Sequence, residues 1–250
     1  MPFSLTGRTV FVAGASSGIG AGFARAVHAA GGRAVLGARR VDRCQALAAE
    51  LGDALAVELD VTDEASVRAA FDAAEARFGV IDGVVCNAGV GTGGRSTEVP
   101  EEGLRRVLGT NLLGAMLVAR EAGRRLIAGG SRAHQRGRVV LIGSITARQS
   151  GTGDAMYAAS KAGLAHLGRQ LPREWVRQGI NVNTLQPGWI ATEINADWFA
   201  GARGQADIAG LHRRRLLSAE ALTPMLLYLL SDACAQVTGA TFTIDDGQSL

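Results

Sequence analysis

The sequence predicts an α/β protein: a single doubly wound domain whose seven-stranded parallel sheet carries helices on both faces. Three observations predict it. Short, nearly continuous apolar runs alternate along the chain with Ala- and Arg-rich helical stretches, the pattern of strands buried on both faces. A glycine cluster sits where the first such run gives way to the first helix. No repeat, low-complexity segment or Pro/Ser linker divides the 250 residues, a length that suits one large domain.

Each element can be justified in order. Residues 10–13 (Val-Phe-Val-Ala) read as a buried strand, and a helix follows over 18–30, stopped by Gly31-Gly32. Residues 34–38 form the next strand, with a helix to Leu51. The third strand covers 54–59 and its helix 63–78; the fourth strand covers 80–86 and is followed by a long helix over 100–127. Residues 138–142 are the fifth strand, ahead of a helix over 157–177 that Pro172 is expected to kink or break. A sixth strand over 180–185, a helix over 218–230 and a closing strand over 241–244 complete the chain. Right-handed crossovers join such strands, and ligands then bind at their carboxyl ends, where strand order reverses. Functional residues are therefore expected just after strands.

Composition narrows the class. The chain is 47% hydrophobic, 20% charged and 5% aromatic, which excludes a disordered tail, a collagen repeat and a coiled coil. No apolar run approaches the ~18–20 residues that cross a bilayer. The start, Met1-Pro2-Phe3-Ser4-Leu5, lacks the layout of a secretory signal, so a soluble cytoplasmic protein with no membrane partner is expected. Cys44, Cys86 and Cys234 are far apart, and His28, His134, His166 and His212 show no ligand spacing, so neither a disulfide framework nor a metal site is expected. The net charge is only +3, and 25 of the 26 basic residues are Arg. The densest run, Arg213-Arg214-Arg215, reads as a solvated turn or a subunit contact rather than a nucleic-acid surface, since few aromatic residues are available for stacking.

After the first strand comes Gly14-Ala15-Ser16-Ser17-Gly18-Ile19-Gly20. Glycines there let the backbone approach a pyrophosphate, which the amides and dipole of the new helix attract. The second strand ends without the carboxylate that would hold the ribose hydroxyls of NAD; Arg39 and Arg40 follow it and can fork onto a 2′-phosphate. NADP(H) is thus favoured over NAD(H). Asp60, followed by Val61, comes after the third strand and can accept from an adenine amino group; capping the next helix is the other use, though Thr62 and Asp63 can do that. Asn87-Ala88-Gly89 after the fourth strand either lies against the cofactor or ties neighbouring strands together.

Tyr157 and Lys161 stand four apart, on one helix face. The chain has two tyrosines and a single lysine, and a lone ammonium in an Arg-biased chain points to chemistry a guanidinium cannot do. A nearby cation is expected to pull the phenol toward working pH, so that it can protonate an alkoxide or deprotonate an alcohol. Ser144, immediately after the fifth strand, can hold the substrate oxygen beside that phenol. Asn111, an amide within an apolar helix, implies a local kink, a partner, or an anchored water that relays protons to Lys161.

Together these residues resemble the short-chain dehydrogenase/reductase family, over the whole chain: the loop from Gly14 to Gly20, Asp60, Asn87-Ala88-Gly89, Asn111, Ser144, Tyr157 with Lys161, and Pro187-Gly188 followed by Ile190 and Thr192. The resemblance implies a Rossmann fold and a catalytic tetrad of Asn111, Ser144, Tyr157 and Lys161. It also implies that Lys161 binds the nicotinamide ribose and that Pro187, Gly188, Ile190 and Thr192 lie beside the nicotinamide. Homodimers or homotetramers paired through the two long helices are implied as well. Ala13 and Cys86 depart from the family's usual Thr and Asn, and Gly91-Thr92-Gly93-Gly94 makes an unusually glycine-rich loop.

Residues 191–216 are expected to form a substrate lid, with Trp189 before it, Trp198 within it and Met156 beside the tyrosine. These side chains either line an apolar pocket or pack the lid onto the body. The expected activity is NAD(P)-dependent interconversion of a ketone and a secondary alcohol, in the manner of a 3-oxoacyl-thioester reductase or a ketone/alcohol dehydrogenase. The alternative is a non-catalytic dinucleotide-binding regulator on the same fold.

Overall fold

Thr9–Ala13, the first strand (β1), is buried throughout and leads through the glycine turn into α1 (Gly18–Ala29) in the computed structural model, which describes residues 3–193 and 195–250. Met1 and Pro2 of the expected N-terminal layout, and Ile194 of the expected lid, lie outside the described residues. The pattern repeats through β2 (Arg33–Ala38), α2 (Val41–Leu51), β3 (Ala54–Glu58), α3 (Glu64–Phe78) and β4 (Gly83–Cys86). Next come α4 (Glu101–Leu108), a π-helical turn (Gly109–Gly114), α5 (Ala115–Ala128), the short α6 (Ser131–His134) and β5 (Gly137–Ile142). α7 (Ala155–Trp175), β6 (Ile180–Pro187), α8 (Ala196–Ala200), α9 (Ala202–Gly210), α10 (Thr223–Leu230) and β7 (Thr241–Ile244) complete it.

The seven strands are parallel, in the order β3-β2-β1-β4-β5-β6-β7. Order reverses between β1 and β4, where Ala13 pairs with Gly37 on one side and Cys86 on the other. The crevice beyond that edge is where a doubly wound sheet takes its ligand. Side chains alternate along each strand, so the sheet feeds two apolar layers. Val10, Val12 and Leu36 face α1 and α10 with Phe23, Val27 and Leu226. Phe11, Val35 and Val84 face α3, α5 and α7 with Phe71, Val118 and Leu164. The Phe11 and Phe71 rings stack at 4.6 Å, and each such buried side chain contributes about 1.5–3 kcal/mol.

Three expectations need correction. The fourth strand begins at Gly83, not at 80, because Gly79 ends α3 at φ +75° and leaves Val80 about half exposed. The helix expected over 100–127 is two α-helices joined by a π-turn. Pro172 does not break α7, which runs on to Trp175. A proline there forfeits a single hydrogen bond in the last turn, and its buried ring packs toward Gly239.

Candidate active site

The glycine loop is held open by its own geometry. Gly14 has φ +85°, and a Cβ there would fall 2.7 Å from the Ala88 Cα; one on Gly20 would fall 2.0 Å from the Gly14 carbonyl oxygen. The Asn87 amide donates to that same carbonyl at 3.0 Å, so Asn87 ties β4 to the loop after β1. Ser17, the N-cap of α1, makes no capping bond, which leaves the first amides of the helix free for an anion. Its hydroxyl instead accepts from Arg40 at 2.7 Å. Thr192 stands 3.7 Å from where a Gly18 Cβ would be, so the loop after β6 closes on the same turn.

At the end of β2, Arg40 donates to Ser16 and Ser17 and pairs with Glu193 at 3.0 Å, which Arg43 also holds at 2.7 Å. Arg39 is exposed, and its charge helps hold the Asp60 carboxyl below its usual range, after the larger effect of hydrogen bonds from the Thr62 hydroxyl and amide. Asp63, not Asp60, caps α3 by accepting from the Ala65 amide, so the Asp60 carboxylate is not committed to that helix. Val61 is buried against the π-turn, where a Cβ on Gly114 would meet it at 2.7 Å. A nicotinamide dinucleotide fits this set: uncapped helix amides for a pyrophosphate, a cradle that a Cβ would fill, and guanidinium groups at the end of β2.

Beyond β5, the tetrad side chains converge. Lys161 is buried and donates to the Ile142 carbonyl at 2.8 Å. Its Nζ lies 5.5 Å from the centre of the Tyr157 ring and 3.7 Å from where a Gly89 Cβ would be. The Ser144 hydroxyl accepts from the Thr146 amide and hydroxyl at 3.2 and 2.9 Å. Burial pushes the Tyr157 phenol up to about 12, with hydrogen bonding to Ser144 opposing and the Asp154 charge assisting. Burial also pulls the Lys161 ammonium down to about 8. The expectation that the phenol is drawn toward neutral pH is therefore corrected in the free chain: desolvation of the buried phenolate is the largest influence, and it acts upward.

Asn111 sits in the π-turn, where its amide has a partner on each side. Its Oδ1 accepts from the Val90 amide at 2.8 Å, and its Nδ2 donates to the Val90 carbonyl and the Ser160 hydroxyl at 2.9 and 3.1 Å. Both amide protons are thus used to clamp the loop after β4 onto α7, and neither is free for a water. Pro187 ends β6 and Gly188 follows, pressed so closely that a Cβ would meet Gln248 Oε1 at 2.3 Å. Ile190 is buried, and the Thr192 backbone amide donates to the Asn195 side-chain Oδ1. Trp189 meets Phe199 edge-on at 6.1 Å, so it packs against α8. Trp198 is half exposed, and its indole N–H donates to Asp207; Met156 is half-buried beside Tyr157. Sequence reasoning missed Asp154, Glu193 and Gln248. Glu193 next to the Thr192 position was the one visible signal; the others depend on where distant segments meet.

The profile of a family described as Enoyl-(Acyl carrier protein) reductase matches residues 14–249. The chain is 33% identical over 252 residues to D-threitol dehydrogenase of Mycolicibacterium smegmatis, covering 99% of this chain and 95% of that one. A short-chain type dehydrogenase/reductase from Mycobacterium marinum superposes with a TM-score of 0.90 at 31% identity, over 98% of this chain and 97% of that one. The chain is a short-chain dehydrogenase/reductase. A gluconate 5-dehydrogenase from Burkholderia cenocepacia, crystallised with NADP and tartrate, superposes on this dehydrogenase/reductase with a TM-score of 0.92 at 29% identity, over 99% and 97% of the two chains. The protein is accordingly an NAD(P)-dependent oxidoreductase that interconverts a carbonyl and an alcohol, and the non-catalytic alternative finds no support. No helix among the described residues is long and apolar enough to cross a membrane.

Proposed function

We propose that this short-chain dehydrogenase/reductase works as an NADPH-dependent ketone reductase in which Tyr157 donates the proton. The observation that carries the reading is the convergence of Tyr157, Ser144 and Lys161 at the carboxyl end of β5, beside the glycine loop. Gly14, Ser16, Ser17, Gly18, Ile19 and Gly20 would hold the pyrophosphate side of the cofactor, Arg39 and Arg40 the 2′-phosphate, and Asp60 and Val61 the adenine. Asn87, Ala88 and Gly89, with Pro187, Gly188, Ile190 and Thr192, would form the walls toward the nicotinamide. The bound dinucleotide supplies the hydride.

Arrival of hydride at the carbonyl carbon pushes an electron pair onto the oxygen, which then takes the proton of Tyr157. A phenol held near 12 is protonated across the working range yet far more acidic than the alcohol formed, so this transfer runs downhill. Ser144 holds the carbonyl oxygen, and the Lys161 charge stabilises the phenolate left behind. Asn111 fixes the loop after β4 against α7 and so keeps Gly89 beside Lys161. The segment over 191–216 acts as the lid. Buried, unpaired Cys44, Cys86 and Cys234 suit a cytoplasmic setting, and the exposed Leu108 and Leu113 on the long helical arm suit a homodimer or homotetramer.

The test is a panel of ketones and alcohols followed by NADPH absorbance. Tyr157→Phe is expected to lose about 10²–10⁴-fold in kcat; a variant with full rate would remove Tyr157 from its role. For the cofactor, kcat/KM with NADPH should exceed that with NADH, and Arg39→Ala should erase the difference. Wild-type preference for NADH would overturn that part.

A further inference from the structure

Asp154 is a carboxylate at the mouth of the site that the reaction above leaves unused. It occupies the N-cap of α7, three residues before Tyr157, which is about 4.5 Å of helix rise. Aspartate at an N-cap ordinarily accepts from the first amides of its helix. Here it makes no such bond. Its side chain turns toward the loop after β4, where Oδ2 lies 4.0 Å from the position of a Gly91 Cβ. Oδ1 is buried, and among the described residues no group donates to it. The carboxylate is near enough to the Tyr157 phenol for its charge to raise that group's pKa.

Among the described residues no cation forms an ion pair with it. The Arg106 guanidinium nearby donates to the Gly91 carbonyl, and it shares its cleft of about 350 Å3 with Glu98 and Glu102. A buried acceptor with no donor costs folding free energy that the chain could have avoided with a neutral residue or a cap. A substrate donor reaching this carboxylate would reduce that cost.

We propose that Asp154 selects the substrate: the ketone carries a hydrogen-bond donor, a hydroxyl or a protonated amine, within a carbon or two of the reacting carbonyl, and is not a carboxylate. The proposal rests on Tyr157 as the point where the carbonyl oxygen is held. Asp154 precedes Tyr157 by less than one helix turn, so a group on the carbon next to a carbonyl held at Tyr157 falls within reach of its carboxylate. A donor bridges to the half-buried carboxylate; a methyl group leaves it unpaired; a carboxylate meets a like charge. Asp154 is in this sense a specificity residue and takes no part in the proton transfer.

The experiment compares four small ketones of matched size, differing beside the carbonyl in a hydroxyl, an aminomethyl, a methyl or a carboxylate group. kcat/KM is read with NADPH, and Ki is read for the corresponding alcohols. Wild type is expected to prefer the hydroxyl or amino ketone over the methyl ketone by about tenfold, chiefly in KM, with the carboxylate poorest. The two donor arms tell a hydroxyl from an ammonium preference. In Asp154→Leu the donor-to-methyl ratio should collapse toward one. In Asp154→Asn, which keeps an acceptor oxygen but no charge, the hydroxyl preference should survive in part, the amino preference should vanish, and the carboxylate should improve. A wild-type ratio near one, or a ratio unchanged in either variant, overturns the proposal. Turnover of none of the ketones by wild type instead overturns the reductase reading on which it rests.

Discussion

Two neighbouring groups on α7 are driven in opposite directions by the same burial: the Tyr157 phenol rises to about 12 and the Lys161 ammonium falls to about 8. Both shifts disfavour the charged form, yet they leave the phenol neutral and the ammonium still mostly protonated at neutral pH. Asp154 obeys the same rule, pushed up to about 6 by burial. Its folded pKa lies above the unfolded value near 3.9, so its contribution is present in full below that value and is lost as pH rises through 6. Asp154→Asn should therefore melt above wild type at pH 7–8, by about 2–4 °C, with the gap closing as pH falls to 4. The partial exposure of the side chain keeps the effect small. Thermal melts across that range check it, and a gap that widens in acid would contradict the burial argument. Tyr157, Lys161 and Ser144 were legible in the sequence because two are scarce residue types and all follow the order of the strands. Asp154 was not, because its significance is the absence of a partner.

The elements that carry the site are held by contacts that leave no slack. Asn111 satisfies both the amide and the carbonyl of Val90 from within the π-turn. Asn111→Ala should strand those two groups, at about 2 kcal/mol, and lower Tm by about 4–8 °C. It should also slow turnover, by freeing the loop that carries Gly89. An unchanged Tm would show that the clamp contributes nothing. In the glycine loop, Gly20→Ala sets a methyl into the Gly14 carbonyl, so cofactor affinity measured by NADPH fluorescence should fall at least about tenfold, by distorting the turn. Strand positions were readable as apolar runs, and β1, β2, β3, β5, β6 and β7 came out within a few residues. The π-turn was not readable. Its sequence is ordinary for a helix, and only packing against Val61, which leaves no room for a side chain at Gly114, and the clamp on Val90 make it visible.

For the whole molecule, the sheet order places every candidate residue on one edge, so the assembly of the chain is the remaining variable. Leu113 is 55% exposed on the π-turn and Leu108 38% exposed just before it, an apolar face that water would not favour. Light scattering should report a dimer or tetramer, and Leu113→Asp should shift it toward monomer while leaving the far-UV spectrum intact. A wild-type monomer at micromolar concentration would exclude this face as a subunit contact. The Arg213–Arg215 run is not a free basic patch: Arg213 and Arg215 both pair with Asp246, at 3.3 and 2.7 Å, and so help fasten the segment before Leu216 to the C-terminal turn.

The amino-acid sequence by itself determined the fold class and the place of the glycine loop, and marked Tyr157, Lys161 and Ser144 as candidates, because periodicity, rare residue types and their order after strands are local properties of the chain. Only the tertiary structure decided which of those groups are charged, which are spent on holding the backbone, and which carboxylate is left without a partner. Desolvation and hydrogen-bond saturation depend on what the rest of the chain brings alongside, and no local pattern records that.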